Sequence, residues 1–197
     1  MPKVNFRPFI LLIFLMALVV AVSNYLVQFP FDFFGFEEFL TYGAFSYPVT
    51  FLITDLCNRK YGKLLARKIV YVGFISGISL TLFFSTNFDD IISIRIALGS
   101  GTAFLASQLI DIQIFDKLRK KIWFLAPFAS STMGSIVDTL LFFSISFYGT
   151  SLNWATLALG DFSVKILIAL LMLIPFRILM NTFLDTAHKY STGKVST

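Results

Sequence analysis

The sequence predicts an all-α integral membrane protein with six transmembrane helices, and its composition is the first reason. Of its 197 residues, 57% are hydrophobic and only 14% are charged, and the mean hydropathy is +0.81. A soluble domain of this size has too little interior to bury so much apolar surface, and disordered chains are poor in apolar residues. The chain is therefore expected to fold in lipid as a single six-helix domain over residues 1–197.

Continuous apolar runs of roughly 20 residues are the second reason, because a helix of that length crosses a bilayer. The runs lack the period-two alternation of membrane β-barrel strands, so helices are favoured. Pro48 lies within the second run, where it removes a backbone hydrogen-bond donor and is expected to kink the helix. The six predicted spans are 9–29, 39–56, 69–85, 91–115, 122–148 and 154–179.

The charged residues between the spans predict the orientation of the chain. Every Lys and Arg except Arg95 and Lys165 falls in alternate loops or in the termini, whereas the intervening loops carry acidic residues or no charge. The positive-inside rule therefore places both termini in the cytoplasm. A competing interpretation is a signal peptide cleaved near Ala21-Val22-Ser23, but the apolar run continues past that point.

Several classes of function are excluded by residue types that the sequence lacks or contains once. Cys57 is the one cysteine, so the chain cannot form an internal disulfide bond. His188 is the one histidine, and it lies in the polar tail, away from any metal-binding cluster. There is no hydrolase or nucleotide-binding motif, so we expect no enzymatic activity, catalytic residue, cofactor or metal. The net charge of +5 reflects the basic loops, and nucleic acid is not an expected partner.

Charged residues inside the spans are the first candidates for function, because a charge at mid-bilayer costs about 2.5–3.5 kcal/mol even on lenient insertion scales. Asp161 and Lys165 are four residues apart, so they share a helix face and can pair. Asp138 has no basic residue within one helical turn, and Lys165 is its candidate partner by depth. Ser131 lies on the same helical stripe as Asp138. Arg95 lies near the outer boundary, where its side chain can snorkel to the interface.

Further polar residues occupy other spans, and two interpretations stay open for each of them. Such residues hold neighbouring helices together, or they line a common pocket. We favour a shared polar pocket, because five helices carry polar residues at helical spacing. Carboxylate and amide oxygens accept from N–H groups and a lysine donates to a carbonyl, which suits a small, planar, polar solute. The candidate site residues are Asn24, Gln28, Asp55, Arg59, Gln108, Asp111, Ser131, Asp138, Asp161 and Lys165.

An ordered series of short motifs carries a family resemblance over residues 20–180. The motifs are Ser23-Asn24-Tyr25-Leu26-Val27-Gln28, Gly43-Ala44-Phe45-Ser46-Tyr47-Pro48, Phe51-Leu52-Ile53-Thr54-Asp55-Leu56, Gln108-Leu109-Ile110-Asp111 and Asp138-Thr139-Leu140, followed by Asp161 and Lys165. Together they resemble the queuosine-precursor transporter family, also called the vitamin uptake transporter family. The chain departs from many relatives at one site, where Asn58-Arg59 replaces an Asn-Glu pair, which makes Arg59 a candidate partner of Asp55.

The resemblance implies a bacterial inner-membrane protein that imports 7-cyano-7-deazaguanine and 7-aminomethyl-7-deazaguanine for tRNA modification. It implies a six-helix fold similar to the substrate-binding subunits of energy-coupling-factor transporters, working without their ATPase module. Eight candidate residues match family motifs: Asn24, Gln28, Asp55, Gln108, Asp111, Asp138, Asp161 and Lys165.

On this hypothesis, Asp138 or Asp111 accepts from the N1–H and exocyclic amine of the base, and Lys165 donates to its O6 carbonyl. Gln108 and Asn24 complete the edge. Asp161 holds Lys165 or attracts the cation of the aminomethyl form. The alternatives are a binding subunit for a vitamin or another nucleobase that needs a separate ATPase complex, and a purely structural membrane protein. The small size and small-residue packing motifs also lead us to expect a homodimer.

Overall fold

The computed structural model describes residues 6–26, 29–32, 40–85 and 88–192, and this part of the chain is almost entirely helical. One helix, α4 (Lys63–Leu80), continues into a short π-helical segment, Thr81–Ser85, in which the Thr81 hydroxyl donates to the Gly77 carbonyl at 2.9 Å. The helices are α1 (Phe6–Leu26), α2 (Gly43–Ser46), α3 (Pro48–Tyr61), α4 (Lys63–Leu80), α5 (Ile91–Leu118), α6 (Leu125–Phe147) and α7 (Trp154–Thr192).

Five helices of the described part are long and apolar enough to cross a membrane, which confirms the all-α membrane class. They are α1, α4 with its π-helical extension, α5, α6 and α7. The second predicted span coincides with α2 and α3, and neither is long enough to count. Helix α2 ends before Tyr47, and Pro48 is the first residue of α3. A proline fits this position because the first N–H groups of a helix have no intrahelical acceptor, so its missing N–H costs no hydrogen bond. Helix α3 has 14 residues and buries Thr50, Thr54 and Asp55 inside the protein.

The helix boundaries differ from the predicted spans mainly at the basic ends. The third span was expected from residue 69, but α4 begins six residues earlier, at Lys63. Its first turns contain lysines and an arginine, which form helix but do not count toward an apolar run. The fifth span was expected from residue 122, whereas α6 begins at Leu125 after a turn containing Trp123. An apolar run therefore marks only the apolar part of a helix, and the helix itself extends into the polar residues beside it.

Small residues bring two pairs of helices into close contact. A side chain at Gly73 or Gly77 of α4 would collide with Met16 or Val20 of α1. On α5, a Cβ at Gly99 would lie 2.5 Å from the Ser146 hydroxyl of α6. Gly99 belongs to the small-residue stretch 97–103, which we expected to serve helix packing rather than ligand contact; packing is confirmed at Gly99, but Ser100 and Ala103 of the same stretch line the principal cavity.

Arg95 ties the first turn of α5 to the end of α6. Its Nε donates to the Ile145 carbonyl at 2.8 Å and its Nη2 to the Tyr148 carbonyl at 2.7 Å. Those carbonyls belong to the last turn of α6, where no intrahelical donor is available. The sequence predicted that Arg95 would extend to the membrane interface, and the structure instead gives its guanidinium two partners within the protein.

A short antiparallel bridge joins the segment after α1 to the segment before α2. Phe31 N donates to the Leu40 carbonyl at 2.9 Å, and Tyr42 N donates to the Phe29 carbonyl at 3.1 Å. The bridge pairs Pro30 with Thr41. It holds α2 beside the end of α1, where both helices reach the principal cavity.

Candidate functional site

The principal cavity lies where α1, α2, α5, α6 and α7 meet, and it encloses about 370 Å³ of empty space counting its open mouth. Its floor and walls combine charged groups, small residues and two aromatic rings. The lining residues are Ser23, Asn24, Gly43, Ala44, Tyr47, Ser100, Ala103, Asp138, Phe142, Asp161 and Lys165.

The Lys165 ammonium is the centre of the charged group in this cavity. Its Nζ lies 2.7 Å from Asp138 Oδ2 and 2.5 Å from Asp161 Oδ2, and the lysine is 4% exposed. The Thr139 hydroxyl donates to Asp161 Oδ2 at 2.8 Å. One cation between two carboxylates leaves a formal charge of −1 on the three charged lining residues.

Two helices supply this group, and sequence spacing accounts for both. Asp161 and Lys165 are one turn apart on α7, and their predicted ion pair is confirmed. Asp138 and Thr139 are adjacent on α6, and the predicted pairing of Asp138 with Lys165 is also confirmed. The network therefore fastens α6 to α7 at the depth of the cavity.

The two carboxylates keep hydrogen-bonding capacity for a ligand. Asp138 Oδ1 accepts a long 3.5 Å bond from the Ser107 hydroxyl, and the Tyr47 hydroxyl also interacts with this carboxylate. Asp161 Oδ1 accepts no hydrogen bond from the described residues, since both bonds of Asp161 go to its Oδ2. A bound molecule with N–H groups could use these oxygens without displacing Lys165.

Tyr47 is the aromatic residue that sequence reasoning did not select. Its ring lies 5.5 Å from Lys165 Nζ, a cation–π distance, and packs edge-on against Phe104 at a centroid distance of 6.1 Å. Phe142 also lines the cavity. The available signal was an aromatic residue directly before Pro48, at the point where the chain changes from α2 to α3.

Asn24 lines the same cavity from α1, and its Nδ2 donates to Thr81 Oγ1 at 2.6 Å. The bond connects α1 to the π-helical end of α4, so the amide has a structural role besides any contact with a ligand. Gln28, the other amide predicted on this helix face, lies outside the described residues.

Gln108 lies between helices rather than at the cavity. Its Nε2 donates to Thr50 Oγ1 at 2.8 Å, and its Oε1 accepts from Thr54 Oγ1 at 2.6 Å. Gln108 is fully buried, and both ends of its amide are used to join α5 to α3. This is the interhelical role that the sequence analysis left open for each amide.

Asp55 and Asp111 form a separate buried group, away from Lys165. Their carboxyl groups contact each other, and the Ser130 hydroxyl lies 3.4 Å from Asp55 Oδ1. A second cavity between α3, α6 and α7 is lined in part by Asp55 and Ser131. The expectation of one shared pocket is therefore wrong, because α3 and α5 direct their polar residues toward each other while α6 and α7 enclose Lys165.

Arg59 lines neither of the two cavities. Its guanidinium donates to the Arg119 carbonyl at the end of α5. The suggested ion pair with Asp55 is not formed, since Asp55 faces Asp111 and Ser130 instead. Next to it, Asn58 Nδ2 donates to the Ile112 carbonyl at 3.0 Å, so both side chains join α3 to the same end of α5.

Comparison with known proteins gives one consistent result. A family model described as "Putative vitamin uptake transporter" matches residues 41–180. A protein of Escherichia coli (strain K12) named "Queuosine precursor transporter" is 35% identical over 85% of this chain and 84% of its own length. A protein of Haemophilus influenzae (strain ATCC 51907 / DSM 11121 / KW20 / Rd) named "Probable queuosine precursor transporter" is 33% identical over 96% of this chain and 93% of its own length. No solved structure matches the chain.

The family match includes both sides of the principal cavity. It contains Tyr47 on one side and the Asp138, Asp161 and Lys165 network on the other. The match covers more than half of the sequence, and two relatives exceed 30% identity over most of it. The chain therefore belongs to the vitamin uptake transporter family.

Proposed function

We propose that the chain imports the queuosine precursors 7-cyano-7-deazaguanine and 7-aminomethyl-7-deazaguanine across the bacterial inner membrane, for use in tRNA modification. The names of the two relatives described above support the substrate class. The observation in this chain that carries the proposal is the principal cavity, in which buried charged groups and aromatic rings lie among membrane-crossing helices.

The acceptors and the donor of the cavity match the edge of a deazaguanine. The base offers an N1–H and an exocyclic amine as donors, and Asp138 Oδ1 is a carboxylate oxygen whose bond from the Ser107 hydroxyl is long, at 3.5 Å. The base also offers an O6 carbonyl as an acceptor, and Lys165 is the ammonium donor beside Asp138. Of the two carboxylates proposed for the N–H edge, Asp138 fits, because Asp111 does not line this cavity.

The flat face of the base would be held by aromatic side chains. Tyr47 and Phe142 both line the cavity, and stacking on a planar heterocycle is favourable for either ring. The formal charge of −1 adds an attraction for the aminomethyl precursor, whose amine is a cation at neutral pH. Asp161 Oδ1, which accepts no hydrogen bond from the described residues, is the proposed partner of that cation.

The same proposal includes a six-crossing topology with both termini in the cytoplasm. Termini on one side require an even number of crossings, so α2 and α3 together would form the sixth beside the five long helices. The basic residues at the ends of α3 and α5, such as Arg59 and Lys117, fit a cytoplasmic location. A fold similar to the substrate-binding subunits of energy-coupling-factor transporters, and a homodimeric assembly, belong to the proposal as well.

Ligand-dependent thermal stability of the purified protein tests the substrate class. A ligand that binds the folded state raises the melting temperature, and the increase grows with the logarithm of its concentration relative to Kd. We expect stabilisation by both 7-deazaguanines and none by guanine or by water-soluble vitamins. Stabilisation by a vitamin alone would refute the assignment. Uptake of the stabilising ligand into liposomes holding only this protein would separate an independent transporter from a subunit that needs an ATPase.

A further inference from the structure

The contact between Asp55 and Asp111, here called the acid pair, is not explained by the proposed substrate site. Asp55 lies on α3 and is 2% exposed, and Asp111 lies on α5 and is fully buried. The carboxyl groups contact each other directly. Neither oxygen of Asp111 accepts a hydrogen bond within the described part of the chain.

No basic side chain of the described residues neutralises the acid pair. On α3, Arg59 is one turn away and donates to the Arg119 carbonyl. On α7, Lys165 is held by the two carboxylates of the principal cavity. Lys63 of α4 pairs with Asp116, five residues beyond Asp111 on α5. The polar group that faces the pair from α6 is the Ser130 hydroxyl, which is neutral.

The geometry of the acid pair requires a proton. Two ionised carboxylates only accept hydrogen bonds, so they cannot bond to each other, and like charges in contact inside an apolar region are strongly unfavourable. One proton converts one carboxyl group into a donor toward the other and removes half of the charge. The proton then gives the oxygens of Asp111 a hydrogen-bond partner in the Asp55 carboxyl group.

A second cavity connects the acid pair to polar groups that lack partners. It lies between α3, α6 and α7, holds about 320 Å³ counting its open mouth, and is lined by Asp55, Ser131 and Ser135 among other residues. The Ser135 hydroxyl is 1% exposed and has no hydrogen-bond partner among the described residues. A buried hydroxyl of this kind points to a bound polar ligand, of which water is the smallest.

The polar side chains of α6 continue from this cavity to the substrate site. Ser131, Ser135 and Asp138 follow one another at intervals of four and three residues, so they share one face of the helix. Ser131 and Ser135 line the second cavity, and Asp138 lines the principal cavity. Water beside these hydroxyls would give a proton a path between the acid pair and the carboxylate that holds Lys165.

We propose that Asp55 and Asp111 form a proton-binding site that is loaded and emptied once in each transport cycle. The proton bonds to one carboxylate oxygen, is shared with the facing carboxyl group, and leaves to a water molecule that enters from the second cavity. The two ionised carboxylates then no longer bond to each other, so they separate or are hydrated until the next proton arrives. The cycle rests on the proposed import function. Because the proton gradient across a bacterial inner membrane points inward, a coupled proton would enter together with the substrate.

Infrared difference spectroscopy tests the proton site without any substrate. The wild-type protein in lipid nanodiscs should show the C=O stretch of a protonated carboxylic acid at neutral pH, and the band should disappear in Asp55→Asn and in Asp111→Asn. Asp116→Asn is the matched control, because Asp116 lies on the same helix as Asp111 but pairs with Lys63 at its partly exposed end. Spectra in which neither variant removes a band would overturn the proposal.

Transport in proteoliposomes tests the coupling. One pH unit, acid outside, supports about a tenfold accumulation of 7-cyano-7-deazaguanine per coupled proton, with alkalinisation of the medium recorded by a pH dye. Asp111→Asn should retain exchange of labelled for unlabelled substrate but lose the accumulation, whereas Asp116→Asn should behave as wild type. Substrate uptake by the wild type without proton movement would refute coupling. A wild-type protein that shows the infrared band but transports no deazaguanine would refute the import function and leave the proton site intact.

Discussion

Replacing Asp138 by asparagine is the sharpest test of the principal cavity, because the change keeps the shape of the side chain and removes its charge. Asp138 is 3% exposed, and its Oδ2 receives the Lys165 ammonium at 2.7 Å. The substituted amide oxygen can still accept from Lys165, which also keeps its contact with Asp161. The protein should therefore fold, with a loss of about 1 kcal/mol of stability as a charge-assisted bond becomes a neutral one.

The effect on substrate binding should be larger than the effect on folding. In the proposed complex, Asp138 Oδ1 accepts from N–H groups of the base. The asparagine of the variant has only one accepting oxygen. If that oxygen faces Lys165, the NH2 group faces the N–H groups of the base, and if it faces the base, the bond to Lys165 is lost. Losing hydrogen bonds to a charged acceptor costs about 2–3 kcal/mol. At about 1.4 kcal/mol per factor of ten, Kd should rise roughly 30- to 150-fold.

The assay pairs a binding measurement with uptake in cells that cannot synthesise the precursor. Calorimetry on the purified variant gives Kd, and the queuosine content of tRNA reports uptake at equal expression. Asp116→Asn serves as the control, since it makes the same chemical change outside the cavity. An Asp138→Asn protein with wild-type Kd and unchanged queuosine would refute the assignment of Asp138 to the base.

Three further predictions follow from the same contacts. Lys165→Met leaves Asp138 and Asp161 facing each other without a cation, so the free energy of unfolding should fall by about 3–5 kcal/mol. Adding Asp138→Asn should recover part of this loss, as measured by thermal denaturation. A double variant that recovers no stability would contradict the network. Because the charged lining sums to −1, the aminomethyl precursor should bind about tenfold more tightly than the nitrile, a difference in binding free energy of about 1.4 kcal/mol. If Asp161→Asn kept this preference in calorimetry, the charge of the lining would be excluded as its cause. Gln108→Ala removes the hydrogen bonds that join α5 to Thr50 and Thr54 on α3. The melting temperature should fall, with a loss of about 1–3 kcal/mol in the free energy of unfolding, while Kd for the precursor stays constant. An altered Kd would place the amide at the ligand.

The membrane class and most helices could be predicted from the sequence, because lipid restricts the backbone to few solutions. A run of apolar residues long enough to cross the bilayer must be helical, and five such helices are present in the described chain. The exception is the region of α2 and α3, where Thr54 and Asp55 face other helices. Hydropathy measures contact with lipid, so it says little about a short helix surrounded by protein.

The site was predictable where both partners lie on the same or adjacent helices. The spacing of Asp161 and Lys165 predicted their ion pair directly, and the similar depth of Asp138 in the membrane predicted that it also pairs with Lys165. The division of the remaining polar residues between two groups was not predictable, because it depends on how α3 rotates about its axis. That rotation turns Thr50 and Thr54 toward Gln108, and it is set by packing contacts that no local pattern encodes.

Arg95 couples the two helix ends of the α5–α6 hairpin through hydrogen bonds to backbone carbonyls. A guanidinium group and the last carbonyls of a helix ordinarily both need water or lipid headgroups, and each would anchor that end of the hairpin at the surface. Here they satisfy each other. The two helix ends are therefore linked, and a displacement of α5 in the bilayer would carry the last turn of α6 with it.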